Sequence, residues 1–405
     1  MRKKLVLFGV FFILLSCFAG RFDITTGGFE VNVAYAATEA EEIEKELKEQ
    51  VSKQLTNLDF DDIEVVLSSL SADAKDLFRS TSFVDKVNYV ISGKYADESG
   101  GIFSSILSIF WRDLKKCLPL ISIIISVSIL GGMISALKPT SSKGSLGNLV
   151  HFVTYGTILI LIGTSLTQII KLTTSTLGSV KSLFDGVFPV LLTLLTALGG
   201  SVSVGIYQPA IALLGTAFVS LITYVLMPVF VFSVVFSIVG NLSNNIKLDK
   251  FVSFLHAVFK WTMGLCFTIF IGFISIQGVV AGSVDGLSIR TAKYAIKSYI
   301  PIVGNYVSDG LSIIMASSAL IKNAVGGVGL LLLFVLVVSP ILNIALYMLS
   351  LKFMSGIIEP LGDGKTANFV SSVAKSLSLL IALLVAVTFM YVVLTGLIMC
   401  SANLV

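Results

Sequence analysis

Along residues 37–110, apolar positions recur at helical spacing between charged ones. Ile43, Leu47, Val51 and Leu55 stand four apart, with Glu and Lys between them. Ile63, Val66, Leu67 and Leu70, then Ala74, Leu77 and Phe78, repeat the pattern. One apolar stripe per segment predicts two or three amphipathic helices. They carry too little apolar surface to bury a large core alone. The spacing allows them to lie on a membrane, on a partner, or as a packed cap on the same chain.

Beyond residue 110 the pattern changes to long apolar runs. A spanning helix needs about 20 predominantly apolar residues. Seven runs meet that length: 117–137, 149–170, 186–205, 210–239, 262–282, 326–351 and 376–400. The 210–239 run is too long for one ordinary crossing, and Pro228 is expected to kink or split it. Pro340 is expected to interrupt 326–351 in the same way. The fold expected is all-α: a polytopic helical membrane protein with about seven transmembrane helices, within a range of six to eight, plus a small N-terminal extracytoplasmic helical module.

The N-terminus reads as a leader. Met1-Arg2-Lys3-Lys4 is a positive start, Leu5 to Ala19 an apolar run, and Ala34-Tyr35-Ala36 a small-x-small cleavage site. The expected organisation is a signal peptide over 1–36, an acidic extracytoplasmic helical module over 37–110, and a polytopic membrane domain over 111–405. That domain contains an amphipathic or re-entrant segment, 283–325. A lipoprotein box at Leu14-Leu15-Ser16-Cys17 and an uncleaved anchor are the alternatives at the N-terminus. Lys138 and Lys143 lie on the cytoplasmic side if 37–110 is outside, as the charge rule asks. Arg112, Lys115 and Lys116 fall on the opposite side. The loop carrying Lys247, Lys250 and Lys260 changes side between a seven- and an eight-span count.

Composition sharpens the class. Of the 405 residues, 55% are hydrophobic and 13% charged, and the mean hydropathy is +0.95. A soluble domain has about 25% charged residues, so a soluble globular enzyme is excluded. The net charge of +4 is segregated. Residues 37–100 hold 15 acidic and 7 basic side chains, and residues 101–405 hold 7 acidic and 17 basic. A basic excess around membrane spans calls for anionic headgroups rather than nucleic acid. Cys17, Cys117, Cys266 and Cys400 are scattered through apolar stretches, which makes neither a disulfide framework nor a metal site.

Three motifs invite chemistry and lack its requirements. Gly364-Lys365-Thr366 could end a phosphate-binding loop, but Glu359 stands where that motif needs glycine, and no strand precedes it. Gly362-Asp363 suggests an intramembrane aspartyl protease, but the 376–400 span holds no second acid. His151 and His256 lack the His-Glu-x-x-His context of a zinc protease. No catalytic, cofactor-binding or metal-binding residue is expected, and the chain is expected not to be an enzyme.

Two features remain. Gly278, Gly282 and Gly286 recur every four residues, a face on which another helix can approach closely. They are candidate helix-packing residues. The second feature is a polar island over 283–325. Arg290, Lys293 and Lys297 share one helical face, with Asp285 before them and Asp309 after Pro301. Such a segment either lies in the interface or lines a polar cavity. These five charged residues are candidates for a conduit or an interface.

The island carries a resemblance. Ser283-Val284-Asp285-Gly286-Leu287-Ser288-Ile289-Arg290-Thr291-Ala292-Lys293, Ile300-Pro301-Ile302-Val303-Gly304 and Ser308-Asp309 resemble the stage III sporulation protein AE family of endospore-forming Firmicutes. Leu198-Gly199-Gly200-Ser201-Val202-Ser203, Leu320-Ile321-Lys322-Asn323-Ala324-Val325-Gly326 and Glu359-Pro360-Leu361-Gly362 support it. The resemblance implies a role in endospore formation after engulfment, in the mother-cell membrane around the forespore. The implied partners are the other stage III A proteins and, across the intermembrane space, stage II sporulation protein Q. Together these would form a secretion-like channel complex needed for late forespore development. A non-conducting scaffold of that complex and a stand-alone secondary transporter are the other functions weighed. No catalytic residue and no cofactor come with the resemblance.

Overall fold

The computed structural model describes residues 33–70, 72–78, 82–92, 99–136, 145–212, 217–242, 248–299, 304–361 and 364–401. Of the expected signal peptide, 1–36, residues 1–32 lie outside them. The chain divides into two units, Met1–Glu46 and Leu47–Val405, and all packing below belongs to the second. Among the described residues every regular element is helical.

Four short helices come first: α1 (Val33–Thr56), α2 (Asp61–Ser69), α3 (Ala72–Phe78) and α4 (Phe83–Ile91). Their apolar stripes are buried, at Val51, Leu55, Ile63, Val66, Leu67, Ala74, Leu77, Phe78, Phe83 and Val87. These side chains belong to one apolar cluster with the long helices that follow. The segment is thus a cap packed on its own chain. Glu64 ties α2 to α4: its Oε1 accepts the Phe83 N–H at 2.7 Å and the Ser82 hydroxyl at 2.8 Å. One orphan donor at the start of α4 thereby gains a charged acceptor. Lys86 is buried, with Nζ 5.3 Å from the Tyr89 ring centroid and 5.9 Å from that of Phe78, within cation–π range.

The long helices are α5 (Ser99–Ala136), α6 (Ser145–Ala197), α7 (Ser201–Ala212), α8 (Val219–Leu221), α9 (Met227–Leu242), α10 (Asp249–Tyr299), α11 (Gly304–Ile358) and α12 (Gly364–Cys400). A π-helical turn, Ile222–Leu226, joins α8 to α9. Six stretches among the described residues are long and apolar enough to cross a membrane: Ser104–Ile134, Phe152–Ala197, Val219–Asn241, Asp249–Ser275, Val307–Ile358 and Gly364–Cys400. In the last two, 56% of the apolar window is buried inside the chain, against 17% for Ser104–Ile134. Helices α11 and α12 therefore form the centre, with α6 against α11, and α5 at the periphery.

The seven apolar runs become six helices for a definite reason. Runs 149–170 and 186–205 fall largely on one continuous helix, α6, of 53 residues. At 1.5 Å per residue it is about 80 Å long, against about 30 Å of hydrocarbon. The second run therefore extends the helix of the first and does not start another. The cap packs on that extension: a Cβ on Gly186 would lie 2.8 Å from Ile63 Cγ1, so glycine admits the close approach of α2. Run 210–239 was expected to kink or split at Pro228, but Val219–Asn241 is one helical stretch of membrane length that passes through the proline. A π-helical turn, Ile222–Leu226, directly precedes Pro228 and adjusts the bonding where the proline lacks its N–H, while the backbone at Met227 stays helical.

Pro340 does not interrupt its span. Helix α11 continues through it, as α5, α6 and α7 continue through Pro119, Pro189 and Pro209. Packed neighbouring helices make proline tolerable in such segments. Residues 283–299 prolong α10 without a break, and α11 begins at Gly304.

Candidate functional site at the buried Lys322

The turn between α6 and α7 positions the site. Gly199 has φ 81°, a left-handed conformation that glycine adopts without penalty. Its N–H donates to Thr196 C=O at 2.8 Å, and Gly200 N–H donates to Leu195 C=O at 2.9 Å. This pair of bonds closes a helix C-terminus on a left-handed residue. Gly200 is constrained as well, because a Cβ there would lie 2.9 Å from the Leu195 carbonyl oxygen. Helix α7 resumes at once, with Val204 N–H donating to Gly200 C=O at 3.0 Å. Ser203 and Tyr207, one turn apart, are buried.

Lys322 stands in α11, fully buried, one turn beyond the equally buried Ser318. Its Nζ donates to the main-chain carbonyl of Ser401, just past the end of α12. The last carbonyls of a helix have no partner within it, and a cation there also meets the negative end of the helix dipole. Lys322 thus closes α12 from a neighbouring helix. The Ser401 hydroxyl donates to Leu397 C=O at 2.8 Å. Having spent its one proton, it accepts from the Tyr207 hydroxyl at 2.8 Å. Three helices, α7, α11 and α12, are joined at Ser401. One turn along, a Cβ on Gly326 would lie 2.6 Å from Met399 Cγ and Sδ, so α11 and α12 are in close contact beside the lysine.

Polar groups continue from this point in both directions. Towards the cap, the Gln54 amide nitrogen donates to Ser317 Oγ at 3.1 Å, and its oxygen lies 3.1 Å from Ser318 Oγ. Towards the bundle centre, the Tyr391 ring stacks on Phe184, with centroids 3.9 Å apart and planes at 5°. The Tyr391 and Thr395 hydroxyls, i and i+4 on α12, are buried without a hydrogen-bond partner among the described residues. Ionisable and polar side chains inside spanning helices are costly and hold helices together or mark function. The arrangement can fix the end of α12 and keep a cation inside the bundle. Among the described residues no three His, Cys, Asp or Glu side chains gather as a metal group.

The residues singled out from sequence stand at other positions along the chain. Asp285, Arg290, Lys293, Lys297, Gly278, Gly282 and Gly286 stand on α10, and their side chains lie outside the described residues. Asp309 is exposed in the first turns of α11. Lys322, Ser401 and Tyr207 were not among the expected site residues. The one local signal is a lysine set between Ile321 and Ala324-Val325, a turn after Ser317-Ser318.

Two stretches that carry the resemblance, Leu198–Ser203 and Leu320–Gly326, supply the turn and the lysine of this one site. A family model described as Stage III sporulation protein AE matches residues 81–402. The chain belongs to that family. The match takes in α4 through α12, with the glycine turn and the Lys322 seat, and omits α1 to α3. Stage III sporulation protein AE of Bacillus subtilis (strain 168) is 27% identical over 285 residues, covering 70% of this chain and 71% of that protein. No solved structure matches. Family membership places the chain in sporulation, and the family's description names a stage of spore formation and no reaction. The six membrane-length helices among the described residues agree with a multi-pass membrane protein.

Proposed function

We propose that this chain is a membrane subunit of a secretion-like channel complex linking mother cell and forespore. It sits in the mother-cell membrane around the forespore, assembled with the other stage III A proteins. Stage II sporulation protein Q is its partner across the intermembrane space. The observation that carries this reading is the family match over residues 81–402, supported by the six helices of membrane length among the described residues. A cleaved leader and an extracytoplasmic cap over 37–110 belong to the same proposal.

Within the complex the subunit either lines the conduit or serves as its scaffold. The scaffold reading has its own support: Ser104–Ile134 and Asp249–Ser275 leave most of their apolar windows uncovered by this chain, with 17% and 22% buried. Faces of that kind receive lipid or partner helices. We assign the conduit role to Asp285, Arg290, Lys293, Lys297 and Asp309, and the assembly role to Gly278, Gly282 and Gly286. The test replaces Arg290, Lys293 and Lys297 together with glutamate in a sporulating strain. A conduit role predicts loss of heat-resistant spores while the variant still co-purifies with its partners. Normal spore counts at normal protein level reject the conduit. Leucine at the three glycines is the complementary variant, and loss of co-purification there marks the scaffold.

A further inference from the structure

On α10, His256, Lys260, Gly264, Thr268 and Gly272 stand four residues apart and so form one line that winds around the helix by about 40° at each step. The line starts polar: His256 Nε2 lies 3.1 Å from Ser376 Oγ on α12, and Lys260 is exposed. It continues without bulk. A Cβ on Gly264 or on Gly272 would meet nothing within 4 Å. The Thr268 hydroxyl donates to Gly264 C=O at 2.9 Å, so its polarity is met inside the helix. Beside this line runs an exposed apolar ridge of Trp261, Leu265 and Ile269, at 79%, 58% and 51% exposure. Between line and ridge lies a trench of about 500 Å³, lined by Lys260, Trp261, Gly264, Leu265 and Thr268. No carboxylate pairs with Lys260 among the described residues.

We propose that this trench binds one anionic phospholipid. Its acyl chain lies along Gly264 and Thr268 against Trp261 and Leu265, and its phosphate meets Lys260. Three observations converge on that occupant. The trench lies where the apolar run 262–282 begins, on a helix with a stretch long and apolar enough to cross a membrane, so lipid is the medium its open face meets. Its one charge is an unpaired cation at the end where the apolar run begins, beside a tryptophan, the residue pair that anchors spans at the headgroup level. Its floor is glycine and an internally bonded threonine, which accept a hydrocarbon chain and offer a polar ligand nothing. A lysine near an anionic surface attracts it, and a zwitterionic headgroup gains far less.

The chain has two tryptophans, so Trp111→Phe makes Trp261 the sole emitter. The full-length protein is reconstituted in vesicles containing brominated phosphatidylglycerol or brominated phosphatidylcholine, and Trp261 quenching is measured. The expected result is a preference for phosphatidylglycerol of about fivefold, the worth of one lysine at a charged surface. Lys260→Gln abolishes the preference, Gly264→Leu fills the trench and lowers quenching by both lipids, and Lys115→Gln on α5 leaves both unchanged. Equal quenching by the two headgroups, or a preference that survives Lys260→Gln, overturns the proposal. So does protection of Trp261 from both lipids, which would show a second copy covering the helix.

Discussion

Lys322→Glu is expected to destabilise the membrane bundle more than any other single charge change. It places a carboxylate where an ammonium group now donates to the Ser401 carbonyl, in a position with no solvent exposure. Attraction becomes repulsion, and the new charge has lost its hydration. Breaking a buried charged interaction in this way costs about 3–5 kcal/mol, a large part of the about 5–15 kcal/mol that holds a typical domain folded. Lys322→Met is expected to be milder. It keeps the aliphatic volume and removes the desolvation cost along with the bond, leaving a loss of about 1–3 kcal/mol for the unmet carbonyl. Both are read by heating the detergent-solubilised protein with a thiol-reactive dye, because Cys266 is buried and becomes accessible on unfolding. A glutamate variant that unfolds at the same temperature as the parent contradicts the structural role assigned to Lys322.

Tyr391→Ala is expected to have an effect of similar size through packing. The ring is stacked on Phe184, with its centroid 6.2 Å from Phe188, and only 2% of the residue is exposed. Between membrane helices, van der Waals packing replaces the hydrophobic effect as the source of cohesion, so the empty ring volume is felt directly. Loss of a buried aromatic ring costs about 3–5 kcal/mol. Tyr391→Phe gives the opposite expectation. The hydroxyl has no partner among the described residues, and removing an unsatisfied buried group is neutral or stabilising. Thermal unfolding of the two variants checks both signs. A phenylalanine variant that is stable but fails to sporulate would give the hydroxyl a functional role.

What could be seen in the chain beforehand depended on range. The stripe through Val51, Leu55, Ile63, Val66 and Leu67 was visible because helical burial repeats every three or four residues. The faces so identified are the buried ones. The class of fold followed from hydropathy alone. The number of spanning helices followed only as a range of six to eight, because hydropathy cannot show whether the backbone continues between two apolar runs. Lys171, Lys181 and Asp185 separate 149–170 from 186–205, yet α6 passes through all three as a helix, with Lys181 and Asp185 paired on its surface. Pro340 misled for a related reason: the cost of a proline depends on the helices around it, here α12 and α6.

The site was the least legible part. Lys322 and Ser401 are 79 residues apart, and Tyr207 and Ser401 are 194 apart. No local spacing records such pairs. The glycine pair Gly199-Gly200 was noticed through the resemblance, while its reason, a left-handed helix end closed by two backbone bonds, needed the coordinates. Charge density drew attention to Arg290, Lys293 and Lys297. A single lysine surrounded by Ile321, Ala324 and Val325 carried less charge and is buried.

The central claim is that this chain works as one subunit of an assembled sporulation complex. Its most direct test is purification of the tagged full-length protein from sporulating cells in a gentle detergent, with mass spectrometry of what accompanies it. Recovery of the other stage III A proteins, with stage II sporulation protein Q after crosslinking, is the result expected. Recovery of the protein alone, at normal abundance and after crosslinking, would contradict the account and leave a stand-alone transporter in its place.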